Sequence, residues 1–278
     1  MRIALAQILS GTDPAANLEM VARHTRQAAE AGASLVLFPE ATMCRFGVPL
    51  APVAEPLDGR WADGVRAIAE QSGVTVVAGM FRPADADADH RVTNTLLAAG
   101  RGVDTHYDKI HLYDAFGFSE SKTVAPGREP VVITVDGDAG PVTVGLTLCY
   151  DIRFPELYVA LADLGAEVIT AHASWGAGPG KLDQWNLLAR ARAIDTSSVV
   201  AAVGQAYPGD EIAAAGPTGV GGSLVASALG EVLVSAGPDP QLLIHDVDLE
   251  AARKARTTVA VMSNRSDFTH PGKAQSLR

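Results

Sequence analysis

Short, mostly apolar runs of strand-forming residues alternate with helical segments along most of this 278-residue chain. Runs such as 142–148 carry no charge and are rich in β-branched side chains, as a strand buried on both faces requires. We predict strands over residues 1–8, 34–38, 74–80, 93–99, 102–107, 131–135, 142–148, 167–171, 198–205, 222–228, 232–235 and 242–247. Helical periodicity and capping residues predict helices over residues 13–31, 59–72, 156–164 and 182–195.

The order of these elements limits the fold class. Strands that alternate with helices form βα units, whereas neighbouring strands joined by a short turn, as at Gly100-Arg101, form hairpins. Hydrophobic residues make up 47% of the chain and charged residues 19%, a globular composition that supports a large core. We therefore predict one sheet-rich, layered α/β domain with two βα-containing halves of similar order.

Charge and cysteine content exclude several classes of protein. The formal net charge of −10 argues against nucleic acid or an anionic membrane as a partner, because both are bound by basic patches. The two cysteines cannot build a disulfide framework, which indicates a reducing compartment and hence a cytoplasmic protein. The apolar start at residues 1–8 is too short for a signal peptide, and the uncharged stretch 212–230 is interrupted by glycines and a proline.

A cysteine stands at the end of a predicted buried strand. Cys149 follows the apolar run 144–148, and Pro155 suits the first turn of a helix that closes at Gly165. A thiol at a strand-to-helix junction lies near unpaired amide N–H groups and the positive end of a helix dipole, both of which favour the thiolate. Cys149 is therefore either an activated nucleophile or a core cysteine, since free cysteine is among the most buried residue types.

Two further reactive side chains occupy comparable places. Glu40 ends one predicted strand and Lys109 follows another, and active groups of α/β proteins collect at strand ends. Together, a thiolate can attack a carbonyl carbon, a carboxylate can transfer the proton, and an ammonium can stabilise the oxyanion and lower the pKa of the thiol. The backbone N–H of Tyr150 is a candidate second oxyanion donor. Taken singly, Glu40 could instead cap a helix and Lys109 could pair with Asp108 at the surface.

Three segments resemble the catalytic blocks of the nitrilase superfamily of carbon-nitrogen hydrolases, in the same order and with similar gaps. They are Leu37-Phe38-Pro39-Glu40, Tyr107-Asp108-Lys109-Ile110-His111-Leu112 and Leu148-Cys149-Tyr150-Asp151-Ile152-Arg153-Phe154-Pro155-Glu156. The likeness runs from Arg2 to about Phe268 and includes Pro126-Gly127. One block alone would be a weak signal, whereas the three together are highly specific.

The resemblance implies an αββα sandwich, with two sheets between helical layers, formed by one domain over residues 1–268 and followed by a tail over 269–278. It implies that Glu40 is the general base, Lys109 the oxyanion stabiliser and Cys149 the nucleophile. Glu120 matches the second glutamate, which positions lysine and substrate in this family. The resemblance implies no cofactor and no metal, and it implies a homo-oligomer, commonly a dimer that meets next to the helix after the nucleophile.

The residues that follow Cys149 indicate one branch of the nitrilase superfamily. They resemble the Nit amidases, which hydrolyse amides of small carboxylated molecules, including ω-amides of 2-oxo dicarboxylic acids and deaminated glutathione. The expected reaction gives a carboxylate and ammonia through a thioester at Cys149. N-carbamoyl amino acids and nitriles are alternative substrates within the superfamily. In the loop after Glu40, Cys44 is expected to line the site passively, and Arg45 is a candidate contact for a substrate carboxylate.

Other classes of protein fit the sequence less well. A serine amidase would need a second serine beside Gly222-Ser223, and no Gly-x-Ser-x-Gly motif of an α/β-hydrolase is present. His106 and His111 lack the spacing of a zinc site. A glutaminase domain that supplies ammonia to a synthetase, or a binding scaffold without catalytic activity, remains an alternative, because fold alone does not establish function.

Overall fold

The computed structural model describes residues 1–85, 90–115, 117–213 and 218–266. Its strands are β1 (Arg2–Gln7), β2 (Leu35–Leu37), β3 (Thr75–Pro83), β4 (Val92–Gly100), β5 (Val103–Asp108), β6 (Asp114–Ala115), β7 (Phe118–Ser119), β8 (Val124–Ala125), β9 (Val131–Gly137), β10 (Gly140–Leu148), β11 (Val168–Ala173), β12 (Val199–Gly204), β13 (Leu224–Ala226), β14 (Val232–Ser235) and β15 (Gln241–Asp246). Its helices are α1 (Pro14–Glu30), α2 (Arg60–Ser72), α3 (Pro155–Asp163), α4 (Lys181–Thr196), α5 (Asp210–Ala213) and α6 (Leu249–Val259).

The strands form two large sheets with related topology. In one sheet the order is β15-β1-β2-β3-β4-β5, with β8 beside β4, and β1, β2 and β3 run parallel. In the other the order is β14-β13-β12-β11-β10-β9, and β10, β11 and β12 run parallel. Each parallel trio is linked by two helices, α1 and α2 in the first sheet and α3 and α4 in the second. The predicted similarity of the two halves is thus present in the structure.

Three layers of apolar packing define the sandwich. Side chains from the facing sides of both sheets, such as Leu5, Leu37, Leu146 and Val203, share one buried cluster. A second cluster joins the outer face of the first sheet to α1 and α2, and a third joins the second sheet to α3 and α4. Because strands buried on both faces can carry no charge, their uncharged sequences follow directly from this arrangement. The fold is the predicted αββα sandwich.

Local sequence signals explain where most helices begin and end. The Asp13 side chain accepts the Ala15 N–H at 2.9 Å, with Pro14 in the first turn, and α2 ends at Gly73 in the left-handed conformation. Not predicted were α6, which begins after an Asp248 cap, the short helix α5, and the short strands β6, β7 and β8, which lie in a segment expected to be a loop. The tail over 269–278 and the domain boundary at 268 lie outside the described residues. Within the described ranges, no helix is long and apolar enough to cross a membrane.

Candidate active site

Cys149 occupies a strained turn directly after β10. Its φ of 44° is unusual for a residue with a side chain, and such strain concentrates at functional sites. A 3₁₀ turn over Cys149–Arg153 follows, and Pro155 then begins α3, so the strand does not pass at once into an α-helix as predicted. The reason is local: the Asp151 carboxylate accepts the Leu148 N–H at 2.9 Å and thereby folds the chain back on itself.

The same Asp151 carboxylate ties this turn to the segment that carries Lys109. It is fully buried and accepts the Tyr107 hydroxyl at 2.6 Å and the His111 backbone N–H at 3.0 Å. The ring Nδ1 of His111 lies 2.8 Å from the same carboxylate. Because Tyr107 and His111 flank Lys109, Asp151 fixes the positions of lysine and cysteine relative to one another.

Glu40 is held by three donors at the carboxyl end of the first sheet. Its Oε1 accepts from Lys109 Nζ and Asn94 Nδ2, each at 2.9 Å, and its Oε2 accepts the Ser174 N–H at 2.9 Å. Its side chain is 1% exposed. Strand β3 can lie this close only because residue 79 is glycine: a Cβ there would lie 2.8 Å from the Pro39 carbonyl oxygen.

Lys109 lies between two carboxylates. Its Nζ is 2.9 Å from Glu40 Oε1 and also contacts Glu120, at 3.0 Å from Oε1 and 2.9 Å from Oε2. Burial alone would lower the pKa of Lys109, but the carboxylates of Glu40 and then Glu120 outweigh burial and raise it well above its usual range. The ammonium is therefore permanently charged at the pH of a cell.

The lysine segment also depends on a close backbone approach. Gly127 donates its N–H to the Lys109 carbonyl oxygen at 2.8 Å, and a Cβ at Gly127 would lie 2.2 Å from the Asp108 carbonyl oxygen. No side chain fits in that space. The Pro126-Gly127 pair that the sequence singled out therefore fixes the backbone at the lysine.

The surroundings of Cys149 favour the thiol over the thiolate. Burial raises the pKa of the Cys149 thiol well above its usual range, the Glu40 carboxylate raises it further, and Lys109 opposes this shift. Lys109 does lower this pKa, as predicted, but burial and the neighbouring anion outweigh it, so the net shift is upward. The predicted help from a helix dipole is absent at Cys149, because α3 begins only at Pro155. The Glu40 carboxylate lies beside the thiol, within reach of its proton.

A cavity of about 350 Å³ opens above these residues. Glu40, Lys109, Glu120 and Cys149 all line it. Aromatic and small side chains form most of its wall, together with two cations: Phe46, Tyr113, Ala115, Phe118, Tyr150, Arg153, Ser174, Trp175, Gly176, Ala177, Lys181 and Ala213. The arrangement suits a small molecule with a reactive carbonyl group and apolar or anionic substituents.

Comparison with known proteins identifies the family. The sequence model described as carbon-nitrogen hydrolase matches residues 2–257. The chain belongs to the carbon-nitrogen hydrolase family. A protein named as a hydrolase in Mycobacterium tuberculosis is 64% identical over 285 residues, covering 99% of each chain. The deaminated glutathione amidase of Escherichia coli is 33% identical over 254 residues, covering 90% of this chain and 91% of the relative.

Solved structures agree with this assignment. The crystal structure of a CN-hydrolase superfamily protein from Xanthomonas campestris, with an arsenic adduct in its active site, superposes with a TM-score of 0.82. The two proteins are 25% identical, and the alignment covers 97% of this chain and 98% of the other. The αββα sandwich is therefore that of the nitrilase superfamily, and the relatives of this carbon-nitrogen hydrolase include amidases.

The structure brings together all the predicted site residues of this carbon-nitrogen hydrolase, but not the two flanking candidates. Cys44 is fully buried in a separate apolar cluster with Phe81, and it does not line the cavity as expected. Arg45 donates to the Phe46 carbonyl oxygen at 3.0 Å, and Phe46, not Arg45, reaches the cavity wall. Within the described residues, no group of three or more His, Cys, Asp or Glu side chains is arranged to hold a metal ion.

Sequence reasoning missed several residues that hold this site together. Asn94, Asp151 and Ser174 contact the carboxylates or the turn by hydrogen bonds, and Arg153 lies over the Trp175 ring at 5.1 Å. Asp151 and Arg153 lie in the segment 148–156 that carries Cys149, so their place in the sequence could have indicated that they belong to the site. Asn94 and Ser174 reach the site only through strand register, which no local pattern reveals.

A buried histidine gives this carbon-nitrogen hydrolase a predictable acid sensitivity. His172 is fully buried, its Nδ1 lies 2.6 Å from the Phe38 carbonyl oxygen, and burial lowers its pKa from 6.5 to about 4. Between about pH 4 and pH 6.5, the unfolded chain therefore binds a proton at His172 that the folded protein does not bind. The free energy of unfolding should be constant above about pH 6.5 and fall by about 3 kcal/mol toward pH 4 through this group.

A His172→Asn variant, whose amide can still donate to Phe38, should lose less stability over the same range. Urea unfolding of both proteins between about pH 7.5 and pH 4.5 measures the difference. Parallel decline in the two proteins would assign the acid sensitivity to other groups.

Proposed function

We propose that this carbon-nitrogen hydrolase is a cysteine amidase that converts the amide of a small carboxylated molecule to carboxylate and ammonia. Glu40 acts as the general base, Cys149 as the nucleophile, and Lys109 and the Tyr150 N–H as oxyanion donors. Glu120 holds Lys109 and lines the substrate cavity. The observation that carries the proposal is the meeting of a carboxylate, an ammonium and a thiol under one cavity.

In the first half-reaction, the Cys149 sulfur attacks the amide carbon while Glu40 accepts the thiol proton. The negative charge moves to the amide oxygen, where Lys109 and the Tyr150 N–H stabilise it. Glu40 then returns the proton to the nitrogen, the C–N bond breaks, and ammonia leaves a thioester on Cys149. In the second half-reaction, Glu40 takes a proton from water and the oxygen attacks the thioester carbon. The C–S bond breaks as Glu40 returns the proton to the sulfur, and the acid product ionises to the carboxylate by giving its proton to ammonia or solvent.

The cavity wall supports a carboxylated substrate. Arg153 packs against Trp175 and donates to Gln184 Oε1 at 2.8 Å, which fixes its guanidinium at the wall beside Cys149. Lys181 adds a second cation. Arginine binds carboxylates in a defined geometry, so an amide at one end of the substrate and a carboxylate at the other would match this site. The similarity to a deaminated glutathione amidase points to the same class of substrate.

Ammonia release from a panel of ω-amides, deaminated glutathione, N-carbamoyl amino acids and aliphatic nitriles tests this proposal. We expect turnover of the carboxylated amides. With Arg153→Met, KM for these amides should rise about tenfold or more with little change in kcat, because a charge-assisted bond contributes about 1.5–3 kcal/mol. A neutral aliphatic amide should be unaffected by the substitution.

Arg66→Met is the matched control for lost positive charge, since Arg66 lies on α2 and pairs with Asp104 at 2.9 Å. It should leave KM unchanged. Turnover of nitriles or carbamoyl compounds alone would overturn the amidase proposal in favour of those reactions. An equal rise in KM for the neutral and the carboxylated amides would remove Arg153 as the carboxylate contact.

We also propose a homo-oligomer that meets beside the helix after the nucleophile. Apolar side chains are exposed on this side, with Leu164 at 51% after α3 and Leu187 at 65% and Ile194 at 47% on α4. Exposed apolar patches commonly mark protein interfaces. Light scattering should give at least twice the 28.9 kDa chain mass, and Leu187→Glu should shift the protein toward the monomer. A monomeric parent protein would contradict this proposal.

The remaining proposals concern organisation and compartment. The shared cluster between the two sheets supports one domain over residues 1–268. Cys44 and Cys149 are both free, which supports a reducing compartment such as the cytoplasm.

A further inference from the structure

Asn94 contacts both carboxylates of the site from behind. Its side chain extends from β4 and is fully buried. Its Nδ2 donates to Glu40 Oε1 at 2.9 Å and to Glu120 Oε1 at 3.4 Å. Its backbone oxygen accepts the Lys109 N–H at 2.9 Å, so this one residue fixes the lysine backbone as well as the two glutamates.

Chemistry determines which way the Asn94 amide points. The opposite orientation would place Oδ1 against two carboxylate oxygens, which are acceptors only. In the observed orientation Oδ1 is buried without a hydrogen-bond partner. An unsatisfied buried acceptor costs about 1–3 kcal/mol. Asn94 therefore contributes less to the stability of the fold than an asparagine whose hydrogen bonds are all made. Its contacts with the two carboxylates explain this buried, partly unsatisfied amide better than a role in stability does.

The Asn94 amide is a neutral hydrogen-bond donor among charged side chains. Glu40 faces it from the end of β2, Glu120 from a 3₁₀ turn and Lys109 from the end of β5, with the Cys149 thiol beyond them. Two carboxylates thus share one ammonium in a buried site. The two negative charges repel each other at this range, and hydrogen bonds donated to both carboxylates offset part of that repulsion. Asn94 supplies such bonds without adding a charge.

We propose that Asn94 is a positioning residue that holds Glu40 and Glu120 in place around Lys109 and turns Glu40 so that Oε2 stays open to the Cys149 thiol. Glu40 Oε1 accepts hydrogen bonds from both Asn94 and Lys109. Among the residues that the structure describes, the Ser174 N–H donates to Oε2. The remaining lone pair of Oε2 can accept the thiol proton. The inference rests on the proposed function, because it assigns Glu40 as the base for Cys149.

The test is the pH dependence of Cys149 alkylation by iodoacetamide, followed by peptide mass spectrometry. This reaction needs no amide substrate, so it examines Asn94 even if no compound in the substrate panel is hydrolysed. In Asn94→Asp a third carboxylate joins the cluster, and the rising limb of the alkylation profile should move up by about one pH unit or more. Asn94→Leu, which removes the donor without adding charge, should move it up by less.

Thr95→Val is the matched control on the same strand. Thr95 donates to Asp108 Oδ1 at 2.6 Å, and Asp108 also pairs with Arg82 at 2.6 Å. Its loss should lower stability without moving the alkylation profile. Should Asn94→Asp fail to fold, the profile of Asn94→Leu decides the question. Profiles of the Asn94 variants that overlay the parent profile would overturn the inference, as would an equal shift in Thr95→Val.

Where an amide is hydrolysed, a second readout is available. Asn94→Leu should lower kcat by about tenfold to a hundredfold while KM changes little, because Asn94 lies behind the groups that line the cavity. A rise in KM with unchanged kcat would show that Asn94 shapes the binding site rather than the base.

Discussion

Replacing Cys149 with alanine is expected to abolish amide hydrolysis. In the proposed mechanism the substitution removes the sulfur that forms the thioester, and loss of a nucleophile from a coupled catalytic group costs about 10⁴-fold or more in kcat. Cys149→Ser should be nearly as inactive, because a serine hydroxyl beside a carboxylate base ionises far less readily than a thiol. Ammonia release under saturating amide measures both effects.

Cys44→Ala provides the matched control for loss of a cysteine. Cys44 is fully buried, and its sulfur lies 3.6 Å from the Thr12 carbonyl oxygen and outside the cavity wall. This variant should keep its activity and lose about 1 kcal/mol of stability through the small void. Activity within about tenfold of the parent in Cys149→Ala would contradict the mechanism, since no covalent intermediate could then be involved.

Replacing Lys109 with methionine is expected to have the second largest effect. In the proposed mechanism the ammonium stabilises the developing oxyanion, and loss of one such donor costs about 10²- to 10³-fold in kcat. It also leaves two carboxylates close together, with side chains only 1% and 4% exposed, so the substitution should lower the free energy of unfolding by about 3–5 kcal/mol. Steady-state kinetics and urea unfolding measure the two effects separately.

A double variant separates catalysis from folding. In Lys109→Met combined with Glu120→Gln, one of the two unpaired charges is removed, so stability should recover in part. Activity should not recover, because the oxyanion still lacks its cation. Recovery of kcat together with stability would show that Lys109 serves the fold and not the reaction.

The strands predicted a layered α/β fold because they are chemically distinctive, whereas the αββα sandwich was implied by the resemblance to the nitrilase superfamily. Strands such as β10 and β12 are buried on both faces and therefore uncharged, and the capping residue Asp13 and the glycine at position 73 mark helix ends. By contrast, α6 was missed, since its residues form a mostly polar helix that buries only Ala252 and Ala255. Its apolar stripe is too narrow to show as a pattern.

The site was predictable in its reactive groups and not in its electrostatics. Glu40, Lys109 and Cys149 stand at strand ends, which is visible in the sequence, and the structure brings them together. The raised pKa of the Cys149 thiol depends on burial and on the neighbouring Glu40, which only the three-dimensional arrangement reveals. Asn94 likewise reaches the site through the register of β4 against β3 and β5.

The most direct test of the account is to trap the acyl-enzyme. The protein is mixed with a hydrolysed carboxylated amide, quenched in acid within the first turnovers and digested for mass spectrometry. We predict a mass increase equal to the acyl group on the peptide that contains Cys149, with none on the peptide that contains Cys44. Steady ammonia release without an adduct on Cys149, and with equal release by Cys149→Ala, would contradict the proposed mechanism.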